Sequence, residues 1–213
     1  MTTKIGLISD THSNTKPLAE AMALFRKNNV DKIICAGDIA GYGEDDLQQT
    51  IDILFENNCL LISGNHDVEW TEKNPIKANR GTQDFLRRLP RYLDLTVETI
   101  KIKVVHASPP DKQHGGIKLF DQDGNVIAAA RDYWANKLKS LDCDVLIVGH
   151  SHQVFAQQLG DVFVINPGST CFNHSCMILT LPETTVEIFA LSNKEILKTW
   201  NWGLFYQDQT KNK

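Results

Sequence analysis

With 213 residues, the chain is long enough to bury a sizeable hydrophobic core, and we expect a single domain over residues 1–213. Its formal net charge of −4 argues against non-specific nucleic-acid binding, because proteins of that kind present a basic surface. No apolar run approaches the ~18 residues that a membrane-spanning helix requires. The five cysteines contain no Cys-x-x-Cys pair, and the N-terminus leads into a strand rather than a signal peptide. We therefore expect free thiols in a cytoplasmic protein.

The first third of the chain alternates between strand and helix patterns. Short apolar runs over 5–9, 32–36 and 59–63 predict buried strands. Between them, apolar residues at helical spacing predict amphipathic helices over 15–28 and 45–57. This alternation is typical of βαβ units and a parallel sheet, and it indicates an α/β fold.

The pattern changes after residue 67, where strands become more frequent than helices. The polar stretch up to residue 91 contains one predicted helix, over 82–88, and later helices are predicted over 126–141 and from Asn193 toward Trp200. Further strands are predicted over 93–97, 100–106, 145–148, 154–158, 162–165, 177–181 and 185–190. This mixture suggests two sheets that pack face to face, with helices on the outside.

Polar side chains follow five of the predicted strands, and seven of them are of types that bind metal ions. They are Asp10, His12, Asp38, Asn65, His106, His150 and His152. Each alone is more often a turn former, a cap or a half-buried histidine, but together they predict a centre for two ions. If the chain stays extended, Asp10 and His12 point the same way, as do His150 and His152. Asp38 is the candidate bridge, because a carboxylate has two oxygens with which to bind two cations.

The order of these clusters resembles that of the calcineurin-like metallophosphoesterases, in particular their small bacterial and archaeal phosphodiesterase branch. The matching motifs are Ser9-Asp10-Thr11-His12, Gly37-Asp38, Gly64-Asn65-His66-Asp67, Val105-His106-Ala107 and Gly149-His150-Ser151-His152. The resemblance implies a four-layer α/β/β/α sandwich of two mixed sheets flanked by helices. It also implies that Asp10, His12, Asp38 and His152 bind the first ion, and that Asp38, Asn65, His106 and His150 bind the second.

A centre of two divalent ions suits hydrolysis at phosphorus, because the ions activate a water and neutralise the charge of the transition state. We expect a phosphodiesterase that cleaves a small phosphodiester by attack of a metal-bridging hydroxide. The resemblance makes His66 the general acid that protonates the leaving oxygen. Asp67, its neighbour, either orients His66 in catalysis or stabilises a turn. The resemblance favours manganese, while the nitrogen and oxygen donors also suit iron, zinc, nickel or cobalt.

Two alternatives to a phosphodiesterase are consistent with the same residues. One is a phosphomonoesterase or phosphoprotein phosphatase, and the other is a metal-binding scaffold without activity. Four basic side chains lie in segments that could reach a substrate, although each is more often a solvated surface charge: Arg80, Lys112, Lys118 and Arg131. Tyr42, in the loop after Asp38, could border the substrate. Residues 200–213 form an aromatic C-terminal tail that either covers an apolar surface of the same chain or joins subunits of a homo-oligomer.

Overall fold

The computed structural model describes residues 2–42, 47–73 and 80–200. Within these ranges the chain forms five helices: α1 (Thr15–Lys27), α2 (Leu47–Glu56), α3 (Asn65–Lys73), α4 (Arg80–Arg88) and α5 (Ala128–Leu138). It also forms ten strands: β1 (Thr3–Ile8), β2 (Lys32–Cys35), β3 (Leu60–Leu61), β4 (Tyr92–Val97), β5 (Ile100–Val105), β6 (Val145–Ile147), β7 (Val154–Leu159), β8 (Val162–Pro167), β9 (Ser175–Leu181) and β10 (Thr185–Ala190). The predicted aromatic tail beyond Trp200 lies outside the described residues.

The strands form two mixed sheets of five strands each. Sheet A has the order β10-β9-β1-β2-β3, and sheet B has the order β4-β5-β6-β8-β7. In sheet A the three strands β1, β2 and β3 run parallel, while β9 and β10 join as an antiparallel hairpin beside β1. In sheet B, β5, β6 and β8 run parallel, with β4 and β7 antiparallel at the two edges.

Three hydrophobic clusters hold the layers together. Between the sheets, Leu7 and Ile34 of sheet A are fully buried in one cluster with Val104 and Ile147 of sheet B. On the outer face of sheet A, the helices α1, α2 and α4 cover a second cluster that includes the buried Phe25. On the outer face of sheet B, α5 and the preceding loop cover a third cluster. The predicted arrangement of two mixed sheets flanked by helices is thereby confirmed.

Two features of the structure differ from the prediction. Helix α3, which begins at Asn65, is not predicted by the sequence, because its nine residues include only Val68 and Trp70 as large apolar side chains and Gly64-Asn65 is a turn signal. The short helix expected from Asn193 toward Trp200 does not form; this segment contains turns and a bridge that pairs Thr199 with Gln153. In the described part of the chain, each helix is too short or too polar to cross a bilayer.

Candidate metal centre

The seven predicted ligands lie just beyond the carboxyl ends of parallel strands in both sheets. Asp10 and His12 follow β1, Asp38 follows β2, and Asn65 begins α3 after β3. The remaining three belong to sheet B: His106 directly follows β5, and His150 and His152 follow β6. Six of the seven are buried, and His150 is half-buried. The two sheets therefore contribute ligands to one shared edge of the sandwich.

The first group of ligand atoms comprises Asp10, His12 and His152. Its atoms lie within 4.8 Å of one another. The Nε2 of His152 lies 3.2 Å from the Nε2 of His12 and 3.2 Å from Oδ1 of Asp10. The Nε2 of His12 lies 4.0 Å from the same Asp10 oxygen. Two imidazole nitrogens and a carboxylate oxygen so close together suit a cation placed between them. All three residues belong to the set, completed by Asp38, that the resemblance implies for the first ion, and this assignment stays a prediction.

The second group comprises Asp38, His106 and His150, again with ligand atoms within 4.8 Å of one another. The Nε2 of His106 lies 3.3 Å from Oδ2 of Asp38 and 3.2 Å from Oδ1 of Asn65. The Nδ1 of His150 lies 2.9 Å from the same oxygen of Asn65. Asp38 also forms a third group with His12 and His66, so its carboxylate lies between the two predicted ion sites.

The hydrogen bonds of two histidines define which nitrogen faces the centre. The Nδ1 of His12 lies 3.2 Å from the carbonyl oxygen of Ala40, and the Nδ1 of His106 lies 2.7 Å from that of Ala36. Because a carbonyl oxygen only accepts hydrogen bonds, each Nδ1 carries the proton and donates it. Each Nε2 then faces the carboxylates and is the nitrogen that would bind a divalent cation, in exchange for any proton that it carries. The nitrogen and oxygen donors of this site thus fit a pair of divalent ions.

Charge within the buried site keeps its carboxylates ionised. Burial alone opposes ionisation of Asp10 and Asp38, but the neighbouring His152 and His106 outweigh it, and the pKa of each carboxyl lies below its usual range. Burial likewise disfavours charge on His106, yet the Asp38 carboxylate raises the His106 pKa to about 9. Burial lowers the pKa of His150 to about 4. Ionised carboxylates next to a neutral imidazole are ready to bind cations.

The backbone at the ligands is strained. Five ligands have positive φ: Asp10 at 51°, His12 at 48°, Asp38 at 54°, His150 at 63° and His152 at 49°. Non-glycine residues rarely adopt this left-handed region, and such residues cluster at functional sites. The expectation that an extended chain aims each pair of ligands is therefore wrong. Tight left-handed turns bring these side chains together instead.

His66 and Asp67 lie in the first turn of α3, in different surroundings. The His66 ring is 5.0 Å from the His12 ring, and the His66 backbone N–H donates to Oδ1 of Asp38 at 2.8 Å. The Asp67 carboxylate is buried and accepts from the backbone N–H groups of Ala40 and Gly64, each at 2.8 Å. Burial, followed by the Asp38 charge, raises the pKa of Asp67 to about 7. Asp67 thus joins two ligand loops.

Hydrogen bonds from residues outside the ligand set hold the ligand loops in place. The Ser9 hydroxyl donates to Oδ2 of Asp10 at 2.5 Å, and the Ser169 hydroxyl donates to the Asp10 carbonyl at 2.6 Å. The Asn166 amide donates to the carbonyl of Gly149 at 3.0 Å and so fixes the loop that holds His150. The turn over 166–169 could be read from its Asn-Pro-Gly-Ser residues, but its contact with Asp10 spans 159 residues and leaves no local signal.

Comparison with known proteins places these observations in a family. Residues 3–184 match the model of the calcineurin-like phosphoesterase superfamily domain. A phosphodiesterase of Methanocaldococcus jannaschii is 25% identical over 171 residues, which cover 79% of this chain and 84% of that protein. A solved structure of an archaeal phosphodiesterase is 23% identical, with a TM-score of 0.59 over 89% of this chain and all of that chain. A hypothetical protein from Pyrococcus horikoshii is 15% identical, with a TM-score of 0.70 over 99% of this chain and 93% of that one.

The chain belongs to the calcineurin-like phosphoesterase superfamily, because the family model covers most of its length. Members of this family are hydrolases that act on phosphoesters with divalent metals. The histidine and aspartate groups described above are candidate ligands for such metals. The resemblance read from the five motifs is confirmed, and so is the fold that it implied.

Proposed function

We propose that the protein is a metal-dependent phosphodiesterase that cleaves a small phosphodiester. The observation that carries the proposal is the convergence of two buried ligand groups, with the Asp38 carboxylate between them. The names of a curated relative and of a structural neighbour, both phosphodiesterases, support the diester over the monoester. The substrate is then an organic molecule small enough to enter a cavity beside Asp38 and His150.

Each side chain has a stated task in this proposal, and Asp38 serves both ions. Asp10, His12, Asp38 and His152 would hold one ion, and Asp38, Asn65, His106 and His150 would hold the other. When bound, two divalent ions supply Lewis-acid activation of the phosphoester and of the attacking water, and manganese is the ion that we expect to serve best. The protein contributes fixed ligands, and the tautomers of His12 and His106 are held by backbone carbonyls.

His66 is the proposed general acid, and Asp67 the proposed positioning residue. The His66 ring is half-buried, lines the cavity and lies beside the ligand groups, so its proton can reach the oxygen that leaves phosphorus. Asp67 holds the Gly64 and Ala40 backbones and thereby fixes the start of α3, on which His66 is carried. We therefore assign Asp67 an effect on catalysis through geometry, without contact with the substrate.

The test compares hydrolysis of bis(4-nitrophenyl) phosphate with that of 4-nitrophenyl phosphate by protein that has been chelated and resupplied with Mn²⁺. We expect metal-dependent cleavage of the diester, faster than that of the monoester, and loss of both in Asp38→Asn. His66→Ala should keep its metal content and lose turnover by roughly 10²-fold or more.

Two results would contradict the proposal. Preferred cleavage of the monoester would make the protein a phosphomonoesterase or phosphoprotein phosphatase. No turnover of either ester, with two ions bound per chain, would favour the scaffold without activity. His66→Ala with full metal content and unchanged turnover would remove His66 from the mechanism and leave the enzyme class untouched.

A further inference from the structure

A cavity of about 420 Å³ opens from the metal centre to solvent. Its inner wall includes the ligands Asp38, His150 and His152, together with His66. Its outer wall includes two aromatic side chains that no step of the proposed hydrolysis uses, Tyr42 and Trp200. This volume lies within the usual range for small-molecule sites, about 300–1,000 Å³, and exceeds what a phosphate group alone would fill.

The aromatic side chains of the outer wall belong to one connected cluster. The Phe172 ring stacks on the His152 ring at 5.3 Å between centroids, with 24° between the planes. Phe172 also lies 4.9 Å from the Trp200 ring and 6.0 Å from the Tyr42 ring. The Tyr42 ring is 4.7 Å from the His66 ring. Ring faces of this kind, fixed beside a reactive centre, bind planar groups by stacking.

Tyr42 is exposed as well as close to the centre, since 49% of its surface is accessible to solvent. Burying a large aromatic side chain is favourable. An aromatic side chain that lines a cavity and remains half exposed can therefore gain stability when a ligand covers its exposed surface. Because Tyr42 touches His66, the proposed general acid, it lies on the side of the cavity toward which a leaving group would depart. The organic part of the substrate is thus expected beside this ring.

The charges of the cavity argue against a cationic organic group. Among the described lining residues the only carboxylate is Asp38, which the metal ions would neutralise, and the only lysine or arginine is Lys118. A quaternary ammonium group bound by the aromatic rings would gain no anionic partner there and would face the positive charge of Lys118. A neutral planar ring, with phosphate toward the ions and Lys118, fits better.

We propose that the cavity binds a phosphoester whose organic group carries a planar aromatic ring, as nucleosides do, stacked against Tyr42 and Trp200. This inference rests on the proposed function, because the metal centre is taken to hold the phosphate. It adds the chemical class of the substrate, which the metal ligands alone leave open.

The experiment measures dissociation constants by calorimetry for AMP and ribose 5-phosphate with Mn²⁺-loaded protein, while phosphate release is monitored. The two ligands share the sugar and the phosphate, so the ratio of the dissociation constant of ribose 5-phosphate to that of AMP measures the contribution of the base. We expect AMP to bind at least about tenfold more tightly than ribose 5-phosphate, because stacking of a base on an aromatic side chain contributes a gain in affinity of that order. Tyr42→Ala and Trp200→Ala should each reduce this ratio, while Tyr42→Phe and Trp200→Phe preserve it.

Three controls distinguish stacking of the base from other effects on binding. Tyr133→Ala removes an exposed tyrosine of α5 and should leave both constants unchanged. Lys118→Ala should weaken both ligands to a similar degree, because it acts on phosphate. Phosphocholine should bind no better than ribose 5-phosphate. Tight binding of phosphocholine to the unaltered protein, lost in Tyr42→Ala, would show that the cavity takes a cation and would overturn the inference.

A ratio near one in the unaltered protein would overturn the inference, as would a ratio retained in both alanine variants. The same measurements distinguish failure of this inference from failure of the proposed function. Diester turnover with a ratio near one would keep the phosphodiesterase and remove the aromatic substrate. A high ratio that depends on Tyr42, in a protein without turnover of any ester, would keep the stacking site and remove the enzyme.

Discussion

Asp67 illustrates how a single carboxylate can position candidate metal ligands without belonging to either ligand group. Its two oxygens accept hydrogen bonds from the N–H groups of Ala40 and Gly64, and its exposure is 1%. Ala40 lies two residues after Asp38, and Gly64 directly precedes Asn65, so Asp67 connects the loops that carry two ligands. Removing the carboxylate would leave two buried donors without their acceptor.

We predict that Asp67→Ala lowers the free energy of unfolding by about 1–3 kcal/mol, the usual cost of unsatisfied buried polar groups. The metal content of the purified variant should fall as well, because the ligand loops lose their connection. Urea unfolding and elemental analysis measure the two effects. Asp84→Ala, at an exposed acid on α4, serves as the matched control and should change neither. Full metal content with reduced turnover would instead support a role for Asp67 through His66.

The candidate ligands could be recognised from the sequence as residue types, whereas their backbone conformation could not. Carboxylates, imidazoles and an amide after successive strands are visible as residue types, and their order carries the family resemblance. The left-handed backbone of Asp10 or His150 is imposed by contacts with distant segments. One such contact is the bond from the Ser169 hydroxyl to the Asp10 carbonyl, which no local pattern encodes.

At the scale of an element, the start of α3 contributes directly to the site. The first N–H groups of a helix have no partner within the helix, and that of His66 donates to Oδ1 of Asp38. The helix end thereby stabilises negative charge on the proposed bridging carboxylate. The sequence did not predict this helix, because Val68 and Trp70 are too few to produce an apolar stripe. The structure shows that α3 begins at Asn65, a candidate ligand.

The junction between β3 and α3 has room only for glycine at position 64. A Cβ on Gly64 would overlap Oδ1 and the backbone nitrogen of Asp38. Gly64 is not among the glycines with positive φ, so the cost of a side chain there is steric rather than conformational. The close approach of the two loops is what places Asp38 within reach of the His66 backbone.

We predict that Gly64→Ala loses most of its bound metal, because the added methyl group displaces the Asp38 carboxylate. Elemental analysis after gel filtration of Mn²⁺-loaded protein measures the loss. Gly115→Ala is the control: a Cβ there meets nothing within 4 Å, and only the positive φ of 92° adds a cost, about 1–2 kcal/mol. Equal metal content in the two variants would mean that the Asp38 loop can move aside.

For the whole molecule, the sequence predicts the layers better than the order of strands within them. The spacing of apolar residues located the strands and the helices α1, α2, α4 and α5 within a few residues. It could not show that β9 returns beside β1, with Met177 opposite Leu7, since this pairing joins residues far apart in the chain. Nor could it show that the two sheets meet with their ligand-bearing ends at one edge.

Burial lowers the reactivity of the thiols, since Cys35, Cys143 and Cys176 are buried and Cys59 and Cys171 are half-buried. All five cysteines are free, and burial raises the pKa of Cys59 and Cys176 to about 12 and that of Cys143 and Cys171 to about 11. The pKa of Cys35 is also raised by burial. Thiolate is the reactive form, so little of it exists near neutral pH. We predict slow labelling by a disulfide reagent at pH 8 in the native protein and five rapid equivalents after unfolding. Fast labelling of native protein would contradict this burial.

The division of ligands between the sheets links metal binding to the stability of the fold. Asp10, Asp38 and Asn65 extend from sheet A, and His106 and His150 extend from sheet B, so bound ions would connect the two sheets across their interface. Ions that bind only the folded state stabilise it, by about 2.7 kcal/mol for one site at a concentration 100 times the dissociation constant. The layers are otherwise held at this interface by apolar contacts.

We therefore predict that chelation lowers the melting temperature and that Mn²⁺ restores it in a concentration-dependent way, measured by calorimetry without substrate. Asp38→Asn should remove most of the response, since this residue lies between both ion sites. His174→Ala, a histidine outside the ligand groups, should respond as the unaltered protein does. The alternative is that the apolar interface alone fixes the sheets, in which case the melting temperature would be the same with and without metal even when two ions are bound. A response retained by Asp38→Asn would show that the ions bind elsewhere in the molecule.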